Sequence, residues 1–108
     1  MMKPDEAELR RLREEAWVGD AVLALFVREW IMREKGALDG EMFVRFTSND
    51  FLRCLGNPTK VEAEIGVIYK ERGLEAAFKH MEDNLLPLFQ QREKVRAKQV
   101  RQGRKIKG

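Results

Sequence analysis

At 108 residues the chain has room for one domain with one modest core, its 44% hydrophobic content suffices for a globular fold, and its longest apolar run is too short to span a bilayer as a helix. A single cysteine, Cys54, and a single histidine, His80, exclude an internal disulfide and a Cys/His zinc cluster. The net charge of +3 hides an uneven distribution: positions 92–108 hold eight Lys and Arg against one acid, Glu93, which leaves 13 basic and 17 acidic residues in positions 1–91, a body near −4 and a tail near +7.

The opening MMKPDEAELRR meets acids at once, unlike a secretory signal or a transit peptide. With the lone cysteine this sets the expectation of a reducing, cytoplasmic setting without membrane association. No segment alternates with the period of a strand, so the expected fold class is all-α, with five or six helices. Pro4-Asp5 opens a helix to about Glu15, with Leu9, Leu12 and Ala16 on one face. Trp17 to Lys35 reads as a second helix, stopped by Gly36. Its middle is apolar on nearly every side, which calls for burial on more than one face, inside this domain or against a partner chain. Gly36 to Gly40 is a turn, and Glu41 to Phe46 a short helix. Ser48 or Thr47 caps a further helix over Asn49 to Leu55, in which Cys54 reads as a small buried apolar group.

Gly56-Asn57-Pro58 breaks the chain, and helix resumes from Thr59 to about Arg72, with Gly73 as its stop. Leu74, Ala77, Phe78, Met81 and Leu85 step along one stripe of a last helix, which Pro87 kinks or ends. His80 on that helix is expected at the surface, without a catalytic role. The charged stretch after Gln90 can continue as helix, but nothing apolar anchors it beyond Val95. The expected organisation is a helical domain over 1–91 and a basic C-terminal tail over 92–108. Such a tail suits a grip on a polyanion, and equally a solvated tail that aids solubility.

Two carboxylates sit beside small residues within apolar helix sequence. Asp20 follows Gly19 and precedes the run Ala21 to Val27. Glu62 lies four residues before Gly66, hence on the same helix face. A glycine inside a helix costs about 1 kcal/mol relative to alanine, so Gly19 and Gly66 point to helices that approach tightly where these acids lie. Ionised carboxylates at such places need a partner, and a hard cation such as Mg²⁺ would supply one. Purely structural roles remain open as well. Asp20 can cap a helix that begins at Ala21, and Glu62 and Glu64 can be acids of a first turn.

These segments resemble a known family. WVGDAVLAL is similar to the signature helix of ribonuclease III, usually L-E-F-L-G-D-A-V-L. VEAEIGVIYKERGLEAA resembles the family's second acidic motif, D-x-x-E-A-L-I-G-A-I-Y followed by a glycine-leucine turn. FTSNDFLRCLG between them resembles its serine-asparagine helix, with Ser48-Asn49 as the pair. Three motifs in the right order cover most of residues 12 to 86. Asp20 then matches the aspartate of G-D-A-V and Glu62 the glutamate of E-A-L-I-G, both of which serve the catalytic metal in the family. Where the full-length enzymes carry further acids, this chain has Arg13, Ala16 and Thr59. The pattern A-W-V-G-D with T-K-V-E looks like Mini-ribonuclease III, the branch without a double-stranded RNA-binding domain. The interval between the two acidic motifs is shorter than is usual in either branch. Glu64 stands where an apolar residue is usual, and points about 200° away from Glu62.

The resemblance implies a compact ribonuclease III-type helical domain and a Mg²⁺-dependent endoribonuclease, with Mn²⁺ as a substitute metal. Its substrate would be double-stranded or structured RNA, such as a ribosomal RNA precursor. Asp20 and Glu62 would be both catalytic residues and metal ligands. The alternative is a degenerate domain that binds structured RNA as a homodimer without cutting. In either case the signature helices of two chains would pair, with Trp17, Val22, Phe26 and Trp30 as interface candidates; a place in the chain's own core is the other reading of these residues. Arg92, Lys94, Arg96, Lys98, Arg101, Arg104, Lys105 and Lys107 would hold phosphates without reading sequence.

Overall fold

The computed structural model describes the backbone of residues 4–107 and the side chains of residues 5–102. Every regular element in this span is helical: α1 Pro4–Lys35, α2 Gly40–Thr47, α3 Asn49–Leu52, α4 Pro58–Arg72, α5 Leu74–Asn84 and α6 Leu86–Lys107. The expectation of an all-α chain with five or six helices holds, α3 being little more than a single turn.

One boundary is corrected. The two helices expected over Pro4–Glu15 and Trp17–Lys35 are one continuous helix of 32 residues. Glu14 to Val18 contains no breaker, and Arg10 Nε donates to the Glu14 carboxylate one turn on, at 3.0 Å. Asp20 therefore lies in the middle of α1 and caps nothing. The later punctuation follows local chemistry. Asp39 accepts from the Met42 N–H and starts α2. Ser48 Oγ accepts from the Phe51 N–H at 3.1 Å and starts α3. Asn57 accepts from the Lys60 N–H ahead of α4, with Pro58 in the first turn where no N–H is needed. Gly73, at φ 94°, ends α4 in a conformation that disfavours any residue with a Cβ. The helix begun at Leu74 breaks at Leu85, as expected ahead of Pro87, which has no N–H to continue the ladder and lies in the first turn of α6.

The core is organised around Phe46, which is fully buried. Phe26 and Trp30 of α1 meet its ring edge-on at centroid distances of 6.3 and 5.8 Å, Phe51 of α3 at 5.4 Å, and Phe89 of α6 stacks on it at 4.2 Å. Four helices are thus joined through one ring. Aromatic pairs of this kind add about 0.5–1.5 kcal/mol each beyond burial. Phe89 roots α6 in the core, and the rest of α6 runs on past it. The molecule measures 64 by 28 by 21 Å, an elongated shape that accommodates α1, about 48 Å long at 1.5 Å per residue.

α1 and α4 meet backbone to backbone. A Cβ added to Gly19 would overlap the Glu62 carbonyl oxygen, and would come within 2.7 Å of the Glu62 carbonyl carbon and 2.9 Å of the Gly66 nitrogen. A Cβ on Gly66 would overlap the Glu15 carbonyl oxygen and lie 3.1 Å from the Gly19 nitrogen. Ala16 and Ala63, both buried, precede the glycines by three residues on each helix. The obstacles are backbone atoms, which cannot rotate aside. Gly19→Ala and Gly66→Ala should each destabilise the fold by about 2–3 kcal/mol, although helix propensity alone would make both stabilising. Thermal or urea melts decide the sign; an unchanged or raised midpoint would refute the crossing.

Candidate functional site

The helix crossing sets the positions of the two acids. Gly19 lies on the Glu62 carbonyl, so Asp20, the next residue on α1, is delivered beside the Glu62 side chain. The two carboxyl groups lie within hydrogen-bond reach of one another. Asp20 is exposed and Glu62 half-buried, so the pair opens to solvent from the Asp20 side. Burial, then the hydrogen bond to Asp20, then the Asp20 charge push the Glu62 carboxyl up from 4.5 to about 7. Among the described residues no lysine or arginine forms an ion pair with either acid.

Like charges brought together without a counter-ion suit two occupants, a shared proton or a cation. Oxygen donors of this kind fit a hard dication that keeps most of its waters. Two ligands are few, and among the described residues there is no group of three or more His, Cys, Asp or Glu side chains placed to hold a metal. Ala16, Arg13 and Thr59 add no carboxylate. Glu64 is exposed, as expected for a residue turned away from Glu62, and Glu15 offers the crossing its carbonyl oxygen.

Compared with family models, with curated proteins and with solved structures, the chain finds no match. The site therefore stands on its own geometry.

The interface candidates divide. Val22, Phe26 and Trp30 are buried in the chain's own core, at 6%, 0% and 7% exposure, whereas Trp17 is 82% exposed. The physical reason is rotation along α1: Phe26 and Trp30 face Phe46, while Trp17 lies on the far side. Residues not named as interface candidates from the sequence join Trp17 there, Leu74 among them, which was expected on the core stripe of its helix. Leu25 of α1, Tyr69 at the end of α4 and Leu74 at the start of α5 line one shallow groove with it, and Asp20 stands on the groove's edge. Leu25 could have been anticipated from its spacing of eight from Trp17; Tyr69 and Leu74 could not, since their place depends on the α4–α5 turn.

Of the basic candidates, Arg92, Lys94, Arg96, Lys98 and Arg101 are exposed on α6, while Arg104, Lys105 and Lys107 lie outside the residues whose side chains are described. α6 passes the expected domain boundary at 91/92 without a break. Glu93, the single acid of that run, forms a two-pronged ion pair with Arg45 of α2, at 3.0 and 2.8 Å. That pair holds the Arg45 guanidinium above its ordinary value. Cys54 differs from expectation. It is exposed in the turn after α3, and Arg92 donates to its sulfur while lying 6.0 Å above the Phe51 ring. His80 is partly exposed and pairs with Asn84 on its own helix. Among the described residues no helix is long and apolar enough to cross a membrane.

The raised Glu62 carboxyl links stability to pH. The folded chain retains a proton that the unfolded chain releases above about 4.5. This contribution is complete below that value and is lost as pH rises toward 7. Melts at pH 5 and pH 8 should show the fold weaker at the higher pH. Glu62→Gln should remove most of that difference and Asp20→Asn part of it. Equal pH dependence in all three proteins would contradict the pairing.

Proposed function

We propose that the chain is a metal-dependent endoribonuclease of double-stranded or structured RNA, built on a ribonuclease III-like helical domain. The observation that carries the reading is the meeting of Asp20 and Glu62 across the α1–α4 crossing. These two acids, from segments 42 positions apart, are the ones matched by the motif resemblance, and the fold brings them within hydrogen-bond reach.

Asp20 and Glu62 would hold Mg²⁺, with Mn²⁺ as a substitute. When bound, such a dication neutralises charge on a scissile phosphate and activates water for attack at phosphorus. Asp20, exposed, offers its oxygens toward solvent and substrate. Glu62 must first give its carboxyl proton to solvent, and its half-buried position then restricts where its oxygens point. Gly19 and Gly66 keep the two side chains in register by fixing the separation of the helices that bear them. The basic face of α6 would hold the phosphates of the duplex and place it without reading its bases. A ribosomal RNA precursor is the substrate suggested by the likeness to Mini-ribonuclease III, in a cytoplasmic setting.

A homodimer belongs to the same reading. Trp17, 82% exposed, with Leu25, Tyr69 and Leu74 beside it, forms an apolar surface that a second copy would cover. Pairing there would place two Asp20 residues at the edges of one seam, one for each strand. Trp17→Glu should shift sedimentation from dimer to monomer; a monomeric wild type would remove the dimer from the proposal.

One observation favours a second reading, a domain that binds structured RNA without cutting it. Among the described residues no third carboxylate joins Asp20 and Glu62, and Ala16 is buried where the resemblance has a further ligand. Wild type, Asp20→Asn and Glu62→Gln incubated with labelled duplex RNA and Mg²⁺ or Mn²⁺ distinguish the two. The nuclease reading expects cleavage by wild type, at least about 100-fold slower in either variant. Wild type that binds but never cuts selects the second reading, and a variant that cuts normally overturns the site.

A further inference from the structure

The basic residues of α6 are not equivalent. Counting 100° per residue from the buried Phe89, Lys94, Lys98 and Arg101 fall between about 120° and 180° away, on the outer side of the helix. Arg92, Glu93 and Arg96 fall within about 60° of Phe89, on the side that faces α2 and α3. The contacts agree. Arg92 and Arg96 line the cavity between α3 and α6 together with Ser48, Asp50 and Phe51. Arg92 lies over the Phe51 ring and donates to Cys54. All five basic residues are exposed, but Lys94, Lys98 and Arg101 line no part of that cavity.

What fixes this rotation is the root of the helix. Phe89 stacks on Phe46, and one turn later both oxygens of Glu93 accept from Arg45, with the two side chains only 27% and 21% exposed. A ring and a two-pronged ion pair on the same side of α6 determine which residues face outward. Beyond Glu93 every described residue of the helix is exposed, so its direction is set by contacts made no later than Glu93. A lone acid in a basic run looks like a flaw in a polyanion-binding segment. Here it is the peg that orients the segment.

We infer that Lys94, Lys98 and Arg101 form the phosphate-contacting stripe of the chain, that Arg92 is engaged against α3 while Arg96 faces the cavity between α3 and α6, and that Glu93 with Arg45 positions the stripe. This rests on the RNA-binding part of the proposed function and is independent of whether the chain cuts. Spacings of four and three residues put the bases of the three side chains about 6 and 4.5 Å apart along the helix axis, on one side of it. That arrangement suits successive phosphates of a nucleic-acid strand rather than a single small anion.

The test is binding of labelled duplex RNA by the full chain across a salt titration, with circular dichroism to verify that each variant is folded. Lys94→Ala/Lys98→Ala/Arg101→Ala should flatten the log–log salt slope by about two to three, whereas Arg92→Ala/Arg96→Ala should leave it nearly unchanged. Equal flattening by both sets would overturn the division of the helix. The positioning role is read from sign. Glu93→Gln removes an acid, so charge alone would tighten binding to a polyanion, yet loss of the ion pair should weaken it several-fold. Arg45→Gln, of opposite charge change, should weaken it similarly, and Arg45→Glu/Glu93→Arg should restore it. Tighter or unchanged binding by Glu93→Gln would overturn the role of Glu93. Wild type that ignores duplex RNA but binds anionic vesicles through the same three residues would overturn both the RNA reading and this inference.

Discussion

Two helices can touch backbone to backbone only where neither carries a side chain, and α1 and α4 do so at Gly19 and Gly66. The contact is reciprocal. Gly19 rests on the carbonyl four residues before Gly66, and Gly66 on the carbonyl four residues before Gly19. Ala16 and Ala63 keep the approach narrow on either side. The rest of the arrangement follows from this separation. With alanines in place of the glycines the helices would have to part, and Asp20 would no longer lie against Glu62. The same closeness makes the pair electrostatically costly, because burial and the Asp20 charge both oppose ionisation of Glu62.

That cost is borne by a core placed elsewhere. Trp30 is ten residues beyond Asp20, about 15 Å along α1, and with Phe26 it joins the ring cluster around Phe46. One long helix thus carries both functions, with the close crossing at its middle and the aromatic packing toward its C-terminal end. Its continuity is what connects them. A break near Ala16, as the two-helix expectation had it, would leave the crossing residues without a rigid link to the ring cluster. The glycine that weakens α1 locally is held in helix by the contact it permits, which is why helix propensity is a poor guide at that position.

What could be read from the sequence was what neighbouring residues determine. Stops at Gly36 and Gly73, the cap at Ser48 and the placing of acids beside helical glycines all depend on a few adjacent positions, and the structure has them as expected. The burial of α1 was not legible in the same way. A helix apolar on nearly every side offers several faces, and the rings that select Phe26 and Trp30 lie in α2, α3 and α6. Trp17 and Trp30 are alike in sequence terms, yet one is 82% exposed and the other 7%. Cys54 shows the same limit from the polar side. Its neighbour in space, Arg92, is 38 positions away, and no local pattern announces it. Glu93 likewise is only a lone acid in its own segment; the Arg45 that holds it is 48 positions away.

Ala16 ties the geometry to the question of how many acids the site contains. The resemblance puts an acid there, and a carboxylate at position 16 would lie one turn before Asp20, on the same face of α1. It would also have to fit where Ala16 is now 8% exposed, one turn before a glycine that touches the opposing backbone. Adding that carboxylate without a cation would bring a third like charge into a site where two already hold one carboxyl near neutral pH. The chain therefore has a close, sparsely charged crossing where a richer ligand set would demand a wider one. On the proposed function, two protein ligands leave most of a dication's coordination to water and to the phosphate of the bound RNA. Metal and RNA would then bind as mutually dependent ligands, each weak without the other.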